Sequence, residues 1–139
     1  MKDSIKTLYK NIMYDVANMS KCNRKKVGAL IISPDDENIL AYGWNGRPRN
    51  VKGSDCCEDE HNNTVSDVIH AEMNCIAKLA RSGGNANGCS IFVTLSPCMV
   101  CSLLLVQSGI KKLYYSEEYR NTDGLDVLRN NGVEVEKLE

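Results

Sequence analysis

The sequence is short of the features that mark several large functional classes. It has no excess of positive charge, because 17 lysines and arginines face 18 aspartates and glutamates, for a formal net charge of −1. Chains that grip nucleic acid usually carry a basic surface, so the balance points to a small-molecule partner instead. No apolar run reaches membrane-spanning length, and the N-terminal segment is polar and periodic, without the apolar centre of an export signal. Neither a membrane nor a secretory route is expected, and the cytoplasm is the expected compartment. Histidine is scarce, with only two in the chain. Cysteine is not, but seven is an odd number, and without an export signal these residues read as thiols and metal ligands rather than as a disulfide framework. Internal repeats and low-complexity tracts are absent too. At 139 residues the chain suits one domain, 1–139, with one core.

What is present alternates between two periods. Ile5, Leu8, Ile12 and Val16 recur at helical spacing and predict an amphipathic helix on a sheet. Val27 to Ile32 has the length and composition of a strand, Pro34 to Asn38 of a turn, and Ile39 to Gly43 of the returning partner. From Trp44 to Val65 the period is lost, and so long a loop in a compact domain is usually functional. Ile69, Met73, Ile76 and Ala80 then form a helical stripe closed by Ser82-Gly83-Gly84. Ile91 to Leu95 reads as a third strand, Cys98 to Ser108 as a helix buried on the sheet, and Lys111 to Ser116 as a fourth strand. A short helix around Leu125 to Leu128 and an edge strand, Val133 to Val135, finish the pattern, with a frayed tail after them. Alternation of strands and helices beyond the opening hairpin implies parallel pairing. The expected fold is therefore α/β, a three-layer α/β/α domain around a mixed five-stranded sheet.

The chemistry lies in Ser96-Pro97-Cys98-Met99-Val100-Cys101, read with His70-Ala71-Glu72. Two cysteines three apart behind a proline place both sulfurs at the first turn of one helix, and His70 stands at the start of another. One imidazole and two thiolates make three protein ligands for zinc, the number that leaves a fourth position for water. A helix N-terminus favours thiolates at Cys98 and Cys101, and the metal lowers the pKa of the water. Two thiolates formally neutralise the ion, so the site needs a base, and Glu72 is placed to be one. Cys75 and Cys89 read as small buried residues, and Met73 and Met99 as core or pocket lining.

H-x-E followed by P-C-x-x-C is the signature of zinc-dependent base deaminases. The order of His70 to Asn74, Thr94 to Cys101 and Gln107-Ser108-Gly109-Ile110 resembles the cytidine and deoxycytidylate deaminase superfamily. Val27-Gly28-Ala29 and Tyr42 to Pro48 resemble its deoxycytidylate branch, and Ser20-Lys21-Cys22 with Cys56-Cys57 are similar to the phage type, whose compartment is the host cytoplasm. The likeness runs from about Ser20 to Tyr119. It implies a cytidine-deaminase-like fold and hydrolysis of dCMP to dUMP, with His70, Cys98 and Cys101 on zinc and Glu72 catalytic. It further implies substrate contacts from Val27, Asn45, Gly46, Ala71, Ser96 and Tyr119. A homo-oligomer is implied, a hexamer by preference, activated by dCTP with Mg2+ and inhibited by dTTP. Trp44, where relatives usually have tyrosine, and the short segment between Cys57 and His70 depart from the pattern. Cys22, Cys56, Cys57 and His61 are candidates for a second, structural zinc that would pin the loop. Arg24, Lys25, Lys26, Arg47 and Arg49 are the candidates for holding a phosphate or an effector. Two other functions compete: a tRNA adenosine deaminase, which the charge balance and the Trp44-Asn45-Gly46 loop oppose, and a non-enzymatic zinc module closed by a fourth protein ligand. Glu72→Gln separates the last from an enzyme, since only in an enzyme does it matter.

Overall fold

The computed structural model describes residues 1–139. Its elements are α1 (Asp3–Ala17), β1 (Gly28–Ile32), β2 (Ile39–Trp44), α2 (Ala71–Arg81), β3 (Ser90–Leu95), α3 (Met99–Gln107), β4 (Lys112–Glu117), α4 (Asp123–Asn130) and β5 (Glu134–Lys137). They form one sheet of order β2-β1-β3-β4-β5. β1 runs antiparallel to both β2 and β3, and β3, β4 and β5 are mutually parallel. The crossover from β2 through α2 to β3 therefore joins strands of the same direction with β1 lying between them.

Every residue of β1 is buried, which is what a strand covered on both faces requires. Because successive side chains point to opposite faces, the strands divide their residues between two cores. Ala29, Ile31, Ile91, Val93, Leu113 and Tyr115 join residues of α2, α3 and α4. Leu30, Ile32, Phe92 and Tyr114 join Tyr9 and Met13 of α1. Three layers result, as expected: α1, the sheet, and the remaining helices. Phe92 stacks on Tyr114 at 4.3 Å between ring centroids and meets Tyr9 edge-on at 5.4 Å, a geometry that aromatic quadrupoles favour.

Two helices bury a face only partly shared with their large apolar stripe: Ile5, Ile12, Val16 and Ile76 pack at the edges of the cores. α1 buries Tyr9, Met13 and Ala17 and leaves Leu8 exposed. α2 buries Ala71, Glu72, Cys75 and Leu79, whereas Met73 is 37% exposed. The cause is the same in both. Gly28 of β1 lies directly beneath the Met13 carbonyl and the Ala17 amide, and Gly43 of β2 lies beneath the Cys75 amide, where an added Cβ would sit 2.8 Å from nitrogen. Strand glycines admit the helix backbone itself, which seats Ala17 over Gly28 and Cys75 over Gly43. Met99 is likewise exposed rather than core, and α3 turns Val100 and Leu103 outward as well. The tail is not frayed. β5 continues to Lys137, the Leu138 amide donates to the Tyr115 carbonyl at 2.7 Å, and the Leu138 side chain is buried in the α1 core.

Candidate metal centre and cleft

The site gathers at one edge of the sheet, outside the carboxyl ends of β2, β3 and β4, the usual position for ligands of open α/β sheets. The loop after β2 doubles back to reach it. The Gly46 and Ile69 backbones exchange two hydrogen bonds, of 3.1 and 2.8 Å, and the Asn74 side-chain Nδ2 donates to the Trp44 carbonyl at 2.8 Å. These contacts fix the approach to His70. His70 and Cys98 are the N-caps of α2 and α3, both with extended backbone, and neither side chain caps its own helix. A capping side chain commonly contributes about 1 kcal/mol, and here that contribution is forgone. The two side chains turn toward each other instead.

His70 Nδ1 lies 3.6 Å from Cys98 Sγ and 3.3 Å from Cys101 Sγ. All three donor atoms fall within 4.8 Å of one another, and they are the only cluster of three or more histidine, cysteine or acidic donors in the chain. No fourth side chain completes the set, which rules against a closed structural site. Softness, count and convergence of the donors all fit zinc. Without metal, hydrogen bonds from Cys101 and His70 bring the Cys98 thiol down to about 3, so it stands as a thiolate. Cys101 is pushed the other way by the Cys98 sulfur and by burial. Glu72 is only 4% exposed, and burial lifts its carboxyl to about 7 against the pull of His70. By contrast, burial raises the Cys75 thiol to about 12, in keeping with a packing role, and Cys89 is buried too.

A cleft of about 420 Å³ opens over these residues, within the range of roughly 300–1,000 Å³ usual for small-molecule sites. Glu72, His70 and Cys98 form its floor; Val27, Asn45, Ala71, Ser96 and Tyr119 also line it. Asn45 spends its amide on the backbone, accepting from Val27 N–H at 2.9 Å and donating to the Lys25 carbonyl at 2.8 Å. Ser96 Oγ accepts from the Tyr119 amide at 2.7 Å.

Residues 3–117 match the family model described as the cytidine and deoxycytidylate deaminase zinc-binding region. The chain belongs to that family. The donor cluster His70, Cys98 and Cys101 lies within the matched region and is consistent with its zinc-binding description. Among solved structures it is similar to the dCMP deaminase of cyanophage S-TIM5 in complex with dCMP and dUMP, at 45% identity over 99% of each chain with a TM-score of 0.94. It is also 35% identical to the deoxycytidylate deaminase of Enterobacteria phage T4, over 89% of this chain and 84% of that one. A tRNA:A34 deaminase structure, 18% identical with a TM-score of 0.60 over 94% of this chain and 99% of that one, shares the fold alone.

This deaminase-family chain departs from the sequence expectation in its loop. Cys22 and Cys57 are joined in a disulfide across 35 residues, so the seven cysteines are not all thiols or ligands. The second zinc site is not formed. Cys56 Sγ lies beside Glu58 and Asn23, each at 3.5 Å, and the His61 side chain is 75% exposed. The physical reason is a bridge between Glu58 and Thr64 that folds residues 59–63 into a tight turn, with Asp59 holding the His61 amide at 2.9 Å. That turn carries the imidazole outward. Of the phosphate candidates, Arg24 and Lys25 line the cleft and Lys26, Arg47 and Arg49 do not; Gly46, expected as a substrate contact, does not line it either. Arg47 is committed elsewhere, gripping both oxygens of Asp67 at 2.8 and 3.0 Å. Sequence reasoning missed Glu58, Thr64, Val68 and Arg120, all of which line the cleft. Only Arg120, next to Tyr119, carried a signal that could have found it.

Proposed function

We propose that this chain hydrolyses dCMP to dUMP with release of ammonia. The observation that carries the reading is the three-donor centre His70, Cys98 and Cys101, whose His70 and Cys98 line a cleft together with the buried carboxyl Glu72, with no fourth protein ligand. The likeness to phage enzymes named for dCMP supports the choice of substrate. His70, Cys98 and Cys101 would hold zinc, which when bound supplies Lewis acidity and makes water nucleophilic near neutral pH.

Glu72 moves the protons. It accepts one from the water that attacks C4 of the cytosine ring and delivers it to ring N3, then passes the second to the amine leaving C4. Water thus supplies both protons, and the products are dUMP and ammonia. A carboxyl held in the neutral range suits this double duty. Asn45 holds the backbone between Lys25 and Val27 against the cleft, and Ser96 fixes the step to Tyr119, so both shape the space for base and sugar.

We further infer a homo-oligomer, a hexamer by preference, working in the cytoplasm, that of a host cell if the source is viral. Exposed Met99, Val100 and Leu103 on α3 and exposed Ile39, Leu40 and Tyr42 on the edge strand β2 support self-association, since apolar surface gathered on one element favours contact with a partner. Control by dCTP with Mg2+ and by dTTP belongs to the same reading. Ammonia release from dCMP, CMP, dCTP and deoxycytidine, with and without these effectors, tests it. Preference for dCMP is expected, and equal kcat/KM for dCMP and deoxycytidine would overturn it.

A further inference from the structure

The chain leaving β4 turns back against the loop that carries Cys98. The Glu117 carbonyl accepts from the Ser96 amide at 2.8 Å, and two residues later the Tyr119 amide donates to Ser96 Oγ at 2.7 Å. Asn121 then prepares α4, its side-chain oxygen accepting from the Asp123 amide at 2.9 Å, and Gly124 comes to lie directly on the same loop. A Cβ added there would press on the Pro97 carbonyl oxygen and stand 2.7 Å from Ser102 Oγ and 3.0 Å from the Cys98 carbonyl carbon. Nothing in the backbone of Gly124 asks for glycine. It is the second residue of an α-helix, its φ is not positive, and alanine is much the better helix former. The demand comes from what the helix rests on.

We propose that Gly124 is a positioning residue for the metal ligand Cys98, its bare Cα letting α4 seat on the link between Pro97 and Cys98 and hold the sulfur where His70 and Cys101 converge. This rests on the metal-centre reading above and deepens it. α4 cannot back away from an intruding methyl group, because Leu125 and Leu128 are 1% and 0% exposed in the core they share with Leu105 of α3. The upstream end of the loop cannot yield either, since Ser96 is tied twice to the segment after β4. The displacement therefore falls on Pro97 and Cys98. It passes on into the first turn of α3, which carries Cys101, because the Ser102 amide donates to the Cys98 carbonyl at 2.9 Å. The Ser102 hydroxyl, buried in the same contact without a hydrogen-bond partner, leaves no gap to take up the methyl.

The test compares zinc-loaded Gly124→Ala with wild type and with Asn130→Ala, a change at an exposed position of the same helix. Loss of a group that orients a metal ligand typically costs about 10- to 100-fold in metal affinity or activity. Gly124→Ala is therefore expected to hold zinc more weakly by about that factor in competition with a chelator, and to lower kcat for dCMP by about as much, with KM changing less. Its cobalt-loaded form should show a shifted thiolate-to-metal charge-transfer band, a signature of the sulfurs themselves. Asn130→Ala should match wild type throughout. A glycine that serves packing alone would lower the urea midpoint and leave the metal affinity and cobalt spectrum of the folded variant unmoved, and that result overturns the proposal. Should Gly124→Ala not fold, wild type decides: zinc should slow hydrogen exchange at the Tyr119 and Leu125 amides more than in α1, and no greater slowing there overturns the proposal as well. A wild-type chain that binds no zinc overturns the metal-centre reading and this one with it.

Discussion

Glu72 shows how one side chain can be costly to the fold and indispensable to the site. It is buried at the first turn of α2, and replacing it with the neutral isostere tests the chemistry without opening a cavity. Glu72→Gln should retain zinc, measured by metal analysis, while kcat falls by about 10²- to 10⁴-fold, the usual contribution of a general acid–base group. Carboxylates at the rim answer to pH differently. Hydrogen bonds from the Asn23 and Arg24 amides hold Glu58 below its ordinary value, the Arg47 fork does the same for Asp67, and Lys25 for Glu117. A depressed carboxylate contributes stability above its unfolded pKa and loses it as pH falls through the folded one. Thermal unfolding followed by circular dichroism should therefore give a Tm that declines below about pH 4.3, and less steeply in Glu58→Gln. The four residues of the metal centre were legible in the sequence because ligand type and spacing at two helix starts suffice to describe them. Arg120 was not, since its place depends on how the chain leaves β4, and nearness in sequence to the Asn45 loop favoured cations such as Arg47 that are already paired.

At the scale of elements, the number of strands, their approximate limits and the mixed character of the sheet follow from short apolar runs divided by turns, and these are legible in the residues alone. Helix faces were legible only in part, since Ile5, Ile12, Val16 and Ile76 pack on the cores while Leu8 and Met73 turn outward. A stripe of large residues predicts the buried side only where side chains separate helix from sheet, and Gly28 and Gly43 remove that separation. Gly43→Ala should cost about 1–3 kcal/mol, as overpacking does, seen as a lower urea midpoint. Because Gly43 seats the helix that begins after His70, the same variant should also hold zinc more weakly in a competition with a chelator. Leu8→Ala, on the outward side of α1, makes the contrasting control, expected to shift the midpoint little.

Across the whole molecule, the Cys22–Cys57 bond closes the cleft wall by joining the segment after α1 to the long loop. Sequence gave no sign of it, because pairing depends on two segments meeting at the rim, and the absence of an export signal favoured thiols. A cross-link of this span contributes about 3–4 kcal/mol on a chain-entropy account. Cys57→Ser should lose about that much in urea unfolding under oxidising conditions, a reducing agent should erase the difference from wild type, and metal analysis of both should still find one zinc per chain. Leu138 has a consequence of another kind. The core under α1 joins Tyr9 and Met13 to Leu30, Ile32, Phe92 and Tyr114 of the sheet and takes in Leu138 as well. During synthesis the first helix can settle on the strands as they form, but this layer is sealed only after residue 138 has emerged.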